Sequence, residues 1–229
     1  MFNYFLDSYY VYLVLPAILI SLIAQIRVKS SFSKYSKIGC RLTGEQAAQQ
    51  VLAANGVYNV RIERVSGNLT DHYDPRTNVI RLSDEVYSAN TIAAVGVAAH
   101  EAGHAVQYAK GYTPIKIRGA ILPVANIGSK LSIPLILLGL VFSFYILVDL
   151  GIVFFAATLL FQLITLPVEF NASRRALSAI KDNNLLTSEA DYKGAKSVLT
   201  AAAMTYVAAV LVSLMQLLRL IAISGRRRN

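Results

Sequence analysis

Four long apolar segments without charged residues divide the chain into membrane-compatible and polar parts. A helix that crosses a bilayer needs about 20 predominantly apolar residues, with a range of about 17–25. The pattern therefore predicts three or four transmembrane helices. We expect the second and third segments to form a tight hairpin that turns near Asp149 and Gly151. The segments cover residues 10–26, 131–148, 150–167 and 198–218.

The polar region after the first segment has mixed helix and strand patterns. Thr43 and Gln46 have the spacing of a capping box and predict a helix that runs to Ala54. Alternating apolar residues predict a strand over residues 58–65, and turn residues precede a second short strand over residues 78–82. A further helix is expected over residues 90–109. The region is thus a small α+β domain within a mainly α-helical chain.

The composition agrees with a membrane protein. Of 229 residues, 55% are apolar and 15% are charged, against about 45–50% and about 25% in soluble domains. The net charge of +9 can indicate nucleic-acid binding, but no basic-aromatic recognition motif is present. We therefore expect the lipid bilayer, and no nucleic acid, as a partner. Lys and Arg instead flank the apolar segments, as Arg27, Lys29, Lys34, Lys37, Arg226, Arg227 and Arg228 show.

The distribution of positive charge predicts the orientation in the membrane. Residues 27–130 contain 13 Lys and Arg, and residues 168–197 contain five, so both regions are cytoplasmic by the positive-inside rule. The first segment lacks the features of a cleaved signal peptide and is interpreted as a retained anchor with its N-terminus outside. Four full spans would place the basic tail, residues 226–228, outside as well. Either the large loops outweigh the tail, or the last segment does not cross.

The pattern with the most specific chemistry is His100-Glu101-Ala102-Gly103-His104, inside the expected helix. Residues four apart lie on one helix face, so two imidazoles can share one zinc ion at about 2.0–2.1 Å each. Glu101 lies in a neighbouring sector, from which it can accept a proton from a zinc-activated water. Gly103 lets substrate or another backbone segment approach closely. The motif predicts a zinc hydrolase with His100 and His104 as ligands and Glu101 as general base.

A catalytic zinc needs a third protein ligand and an open position. No histidine follows His104, and Cys40, the only cysteine, excludes both a thiolate site and an intrachain disulfide. Glu169 is the best candidate, because the hairpin returns it to the side of the motif helix, and His72 is the alternative. The remaining later acidic residues lie at the far end of the hairpin or among polar residues typical of turns: Asp149, Asp182, Glu189 and Asp191.

Three motifs together resemble the YugP-type neutral zinc metallopeptidases of bacterial membranes, and the resemblance extends over nearly the whole chain. They are the motif from His100 to His104, Thr70-Asp-His-Tyr-Asp-Pro75, and Pro167-Val-Glu-Phe-Asn-Ala-Ser-Arg-Arg-Ala-Leu177. The resemblance implies a membrane peptidase that depends on zinc.

The stretch that begins at Glu169 is also similar to the Glu-x-x-Ala-Asp motif of HtpX-type and CAAX-processing membrane proteases, in which Glu is the third zinc ligand. This similarity implies the same role for Glu169. The sequence departs from those relatives at Ser173, where they have Asp. Asn171 or Ser173 is therefore expected to replace the residue that usually orients a ligand.

The segment over residues 70–74 and the strand after it each admit two interpretations. His72 and Tyr73 can donate hydrogen bonds to a developing oxyanion, or they only shape the turn before Pro75. The strand over residues 78–82 can hold an extended substrate as an added strand, or it is an ordinary strand of the sheet.

These patterns predict a mainly α membrane protein with a small α+β, zincin-like domain and three to four transmembrane helices. The predicted function is a zinc-dependent endopeptidase of the cell membrane, acting on polypeptides, including membrane proteins, at the cytoplasmic face. Substrate specificity and oligomeric state stay open. The expected parts are an anchor (1–26), the zincin-like domain (27–130), a transmembrane hairpin (131–168), a segment with the third ligand (169–197), and a C-terminal membrane helix with a basic tail (198–229).

Two other functions remain as alternatives. An intramembrane protease would hold the motif helix within the bilayer, but residues 86–109 are only weakly apolar, and the aspartate-bearing second motif of that class is absent. A non-catalytic metal-binding membrane scaffold would have no use for a general base at Glu101.

Overall fold

The computed structural model describes residues 7–226. Residues 1–6 of the expected anchor, and Arg227 and Arg228 of the tail, lie outside the described residues. A π-helical turn, Tyr10–Val14, leads into the first α-helix. The elements that follow in chain order are α1 (Leu15–Tyr35), α2 (Gly44–Ala54), β1 (Arg61–Val65), β2 (His72–Asp74), β3 (Val79–Ser83), α3 (Asp84–Tyr87), α4 (Ile92–Ala109), α5 (Thr113–Val141), α6 (Tyr145–Asp182) and α7 (Glu189–Arg226).

The chain forms two compact units, each built from separate segments. The membrane unit comprises the described parts of Met1–Ala24, Ile117–Leu166 and Thr205–Asn229, and the site unit comprises Gln25–Lys116 and Pro167–Met204. Helices α1, α5, α6 and α7 each contribute residues to both units.

Four helices in the described part of the chain are long and apolar enough to cross a membrane. Large apolar side chains are exposed along them, including Leu19, Ile23, Leu138 and Val153, as helices surrounded by lipid require. The prediction of a mainly α membrane protein with a small α+β part is confirmed. The candidate spans are Tyr10–Tyr35, Thr113–Val141, Tyr145–Asp182 and Glu189–Gly225.

The hairpin between α5 and α6 turns earlier than the sequence indicated. The turn covers residues 142–144, and Ser143 adopts a positive φ of 58° there. The predicted turn near Asp149 and Gly151 is wrong, because both residues lie inside α6. Gly151 serves helix packing instead: a β-carbon at this position would lie 2.8 Å from the backbone oxygen of Ser132 on α5.

The site unit contains a three-stranded sheet in the order β1-β3-β2. β3 pairs with β1 in parallel and with β2 antiparallel, and its residues Val79, Ile80 and Leu82 are fully buried. The suggestion that residues 78–82 receive an added substrate strand is therefore wrong, because both edges of β3 are already paired. β1 starts at Arg61 rather than at residue 58, and Tyr58 is exposed.

The two predicted helices of the site unit are present. The side chain of Thr43 accepts a hydrogen bond from the backbone of Gln46, and the side chain of Gln46 accepts one from the backbone of Thr43. The capping box is thus confirmed. α4 starts at Ile92, where the side chain of Thr91 caps it. This helix is the centre of the unit, since its apolar residues share one core with residues of α2, β3, α6 and α7.

Candidate metal centre

α4 presents its two histidines on one face. The ring centroids of His100 and His104 are 4.7 Å apart, and the rings are nearly perpendicular at 84°. Only 15% of the His100 side chain and 10% of the His104 side chain are exposed, because the helix lies inside the core. The spacing of four residues thus produces the arrangement expected from helix geometry.

Glu169 on α6 meets both histidines. Its Oε2 atom lies 3.3 Å from Nε2 of His100 and 3.5 Å from Nε2 of His104. Within the described residues, these three side chains form a group whose potential ligand atoms all lie within 4.8 Å of one another. Glu169 is buried, with 2% of its side chain exposed, so the carboxylate is enclosed beside the two rings.

Gly103 allows the close approach of α4 and α6. A β-carbon on Gly103 would lie 2.8 Å from the backbone oxygen of Ala172, which is closer than normal contact distances allow. Ala172 follows Glu169 by three residues on the same helix. Of the two possibilities for Gly103, the approach of another backbone segment is the one that the structure contains.

The Nδ1 atoms of the two histidines face separate partners. Nδ1 of His100 lies 3.1 Å from the hydroxyl oxygen of Ser173, and Nδ1 of His104 lies 3.0 Å from Oε1 of Gln107. Both Nε2 atoms point to Glu169. Hydrogen bonds at the non-coordinating nitrogen commonly fix the orientation and tautomer of metal-binding histidines. Each ring therefore has one nitrogen held by a neighbour and one directed into the group.

Asn171 contacts the group indirectly. Its Oδ1 atom accepts hydrogen bonds from Nε2 of Gln107, at 3.0 Å, and from Nε of Arg175, at 2.8 Å. Of the two residues expected to orient a ligand, Ser173 reaches a histidine, and Asn171 reaches Gln107 instead. Gln107 is the residue that sequence reasoning missed. Its signal was the spacing of three residues from His104 on one helix, but its contacts with α6 require the fold.

His72 and Tyr73 lie on β2, outside the group formed by the two histidines and Glu169. His72 is exposed, and its Nδ1 atom lies 2.7 Å from the backbone oxygen of Thr70. The Tyr73 hydroxyl donates to Oδ1 of Asn78 at 2.6 Å, and its ring packs against Tyr108 of α4 with centroids 5.5 Å apart. The segment read as a turn is thus a short edge strand, and the contacts of Tyr73 attach it to the motif helix.

The electrostatics of the group favour a cation. Burial by itself lowers the pKa of His104, but the hydrogen bond with Glu169 and the charges of Glu101 and Glu169 outweigh it and raise that pKa. Glu101 is buried, with 8% exposure, and follows His100 on the helix. Two imidazole nitrogens and one carboxylate are the donors of a catalytic zinc site with one open position. The residues present therefore fit a zinc ion.

Comparison with known proteins agrees with this chemistry. Residues 10–225 match the model of the family described as "Putative neutral zinc metallopeptidase", and the chain belongs to this family. It is 45% identical over 224 residues to the "Putative membrane protease YugP" of Bacillus subtilis (strain 168). The matched region covers 96% of this chain and 99% of that relative. No solved structure matches the chain.

Proposed function

We propose that the protein is a zinc-dependent endopeptidase of the cell membrane. The observation that carries the proposal is the convergence of His100 Nε2, His104 Nε2 and the Glu169 carboxylate within 4.8 Å, with Glu101 adjacent on the motif helix. Three protein donors leave a position open, which is typical of catalytic rather than structural zinc sites. The name of the Bacillus relative, a membrane protease, supports the same class.

The chemistry divides between the ion and the side chains. A bound zinc supplies Lewis-acid activation of a water molecule and of the scissile carbonyl. Glu101 accepts the proton of the attacking water and passes it to the leaving amine as general base and then general acid. Ser173 and Gln107 hold the two rings with both Nε2 atoms directed at Glu169, so that these three side chains would hold the zinc ion. Glu169 supplies a negative charge that offsets the charge of the dication.

A polypeptide in extended form fits the edge of the sheet in the site unit. β2 is an edge strand, and Tyr73 on it packs against Tyr108, four residues after His104 on the motif helix. Edge strands bind extended peptides through backbone hydrogen bonds. We therefore propose β2, rather than β3, as the strand along which a polypeptide substrate lies. His72 and Tyr73 are then close to the substrate, and a role of either in stabilising an oxyanion stays a proposal.

The site belongs to the cytoplasmic face in this proposal. The basic residues of the two polar regions favour that side by the positive-inside rule, and the substrates are polypeptides at or within the membrane. An intramembrane protease is less favoured, because α4 is not among the described helices that meet the length and hydropathy of a membrane span. A non-catalytic metal-binding scaffold would leave Glu101 without a task.

The test compares the purified full chain with its Glu101→Gln variant in mild detergent. The probe is fluorescently labelled casein, an unfolded polypeptide, and zinc content is measured in parallel. We expect equal zinc content and a rate about 10²–10⁴-fold lower in the variant, because Gln cannot accept the proton. Glu189→Gln, an exposed change at the start of α7, is the control and should cleave at the wild-type rate. Equal rates for Glu101→Gln and wild type would remove the proposal, and zinc binding without any hydrolysis would favour the scaffold.

A further inference from the structure

Gln107 makes a set of contacts that the general zinc-peptidase chemistry does not require. Its side chain is fully buried on α4, one turn after His104. Oε1 lies 3.0 Å from Nδ1 of His104, while Nε2 donates to the backbone oxygen of Val168 at 2.8 Å and to Oδ1 of Asn171 at 3.0 Å. The amide therefore contacts a histidine of the motif, the residue before Glu169 and the residue two positions after it.

The directions of these hydrogen bonds are fixed by chemistry. The backbone oxygen of Val168 can only accept, so the atom of Gln107 that faces it must be the NH₂ group. The guanidinium of Arg175 can only donate, so Oδ1 of Asn171 faces both Arg175 and Gln107 as acceptor. The oxygen of Gln107 is left for His104. Because that oxygen cannot donate, Nδ1 of His104 must carry a proton.

We propose that Gln107 is a positioning residue that selects the Nδ1-protonated tautomer of His104 and fixes α4 against the segment of α6 that carries Glu169. This inference rests on the proposed zinc site. In this tautomer the lone pair of His104 lies on Nε2, the atom that faces Glu169 at 3.5 Å. One amide thus orients one ligand and sets the position of the helix that supplies another.

Ser173 cannot select a tautomer in this way. Its hydroxyl lies 3.1 Å from Nδ1 of His100, and a hydroxyl group can donate or accept. It orients the ring of His100 without determining which nitrogen is protonated. The selective role therefore falls on Gln107. Its NH₂ group donates to both acceptors on α6, so its oxygen must be the atom that faces His104.

Two substitutions separate the acceptor of Gln107 from its volume. Gln107→Met keeps a similar shape without hydrogen bonds, and Gln107→Glu keeps an acceptor for His104 but removes the two donors. Zinc affinity of the full chain in detergent is measured by competition with a chromophoric chelator. We expect Gln107→Met to bind zinc about 10–100-fold more weakly, as loss of a ligand-orienting partner does. Gln107→Glu should lose less affinity than Gln107→Met, because it keeps the acceptor for His104, although its second oxygen then faces the two acceptors on α6. Gln49→Met, an exposed change on α2, controls for the substitution itself.

Equal loss of zinc affinity in the Met and Glu variants would show that the acceptor for His104 has no selective role and overturn the inference, as would wild-type affinity in Gln107→Met. A measurement on the zinc-loaded wild type covers the case in which a variant does not fold. Because the chain has three histidines, ¹⁵N-histidine spectra can be assigned with His104→Ala. We expect a protonated Nδ1 and a zinc-bound Nε2 at His104, and the reverse pattern would refute the tautomer assignment. A wild type that binds no zinc would instead refute the proposed function.

Discussion

Oε2 of Glu169 lies 3.3 Å from Nε2 of His100, although 69 residues separate the two in sequence. α5 and α6 form a hairpin, and α6, its second helix, brings Glu169 back to the motif helix. A buried carboxylate without a compensating charge is costly, so its place beside two imidazoles needs a positive partner. The proximity supports Glu169, rather than His72, as the third ligand.

Replacement of Glu169 by Gln should reduce zinc content sharply, because the neutral amide is a weaker ligand and no longer offsets the charge of the dication. His72→Ala and Glu189→Gln should keep the wild-type content, since both residues are exposed and lie outside the group. Metal analysis of the three purified variants in mild detergent decides the question. Full zinc in Glu169→Gln together with loss in His72→Ala would make His72 the third ligand.

Gly103→Ala should destabilise the site unit and weaken zinc binding. The added methyl group would lie 2.8 Å from the backbone oxygen of Ala172, so α4 and α6 must separate, at a cost of about 1–3 kcal/mol for overpacking. Gly96→Ala on the same helix is the matched control, because its β-carbon would meet Ala195 at an ordinary 3.5 Å. Thermal unfolding and zinc affinity of both variants test the idea. Equal behaviour of the two variants would show that the contact at Gly103 does not limit the approach.

The elements set by local interactions were predictable from the sequence. The capping box of Thr43 and Gln46 and the motif helix over residues 92–109 depend on contacts within a few residues of each other. The pairing of Glu169 with the motif could be inferred because few acidic residues follow His104, and the hairpin limits where each of them can lie. Local signals and simple elimination were sufficient for these features.

Features that depend on distant contacts were not predictable in the same way. In the hairpin turn over residues 142–144, Ser143 stands between Phe142 and Phe144 and is its one polar residue, a weaker turn signal than Asp149 and Gly151, which suggested a turn where the helix continues. The central position of β3 depends on its pairing with β2, a strand of three residues. The role inferred for Gln107 depends on α6, more than 60 residues later.

The stability of the site unit should depend on the ionisation of Asp74. Hydrogen bonds from the hydroxyl of Thr77, from the guanidinium of Arg81 and from the backbone of Arg76 lower the pKa of this carboxyl in the folded protein. A carboxyl with a lowered folded-state pKa stabilises the fold fully above its ordinary, unfolded-state pKa of 3.8. This contribution is lost progressively as the pH falls from that value toward the lowered folded-state pKa. The turn over residues 74–78 is therefore stabilised at neutral pH.

We expect Asp74→Asn to unfold at a lower temperature than wild type at pH 7, with a difference that begins to shrink below about pH 4 and shrinks further as the solution becomes more acidic. Thermal unfolding of the two proteins in detergent across this range measures it. Glu85→Gln, an exposed change on the neighbouring helix α3, serves as the control. A difference between wild type and Asp74→Asn that is the same at every pH would contradict the assignment.

The ends of the first and last helices of the membrane unit are joined by an ion pair. Nε and Nη2 of Arg219 donate to Oδ2 of Asp7 at 2.9 and 2.7 Å, and the guanidinium lies 5.1 Å from the ring centroid of Tyr10. Arg219 is buried, with 7% exposure. A charged side chain at membrane depth is costly unless it is paired, so this contact should persist in the bilayer. It places the last turns of α7 beside the first turn of the N-terminal helix.

This pairing predicts that both chain termini lie on the same side of the membrane. If α1 crosses, α7 must cross as well, because Arg219 near its end lies beside Asp7. Four full spans are then expected, although they place the basic tail, residues 226–228, outside. The positive charges of the two large polar regions would determine the orientation and outweigh those of the tail. Tags at each terminus, probed in intact and lysed cells, should give the same accessibility, opposite to that of Cys40 and of a cysteine placed at Glu45. Opposite accessibility of the two tags would mean that α7 does not cross and that the Asp7–Arg219 pair does not form in the membrane.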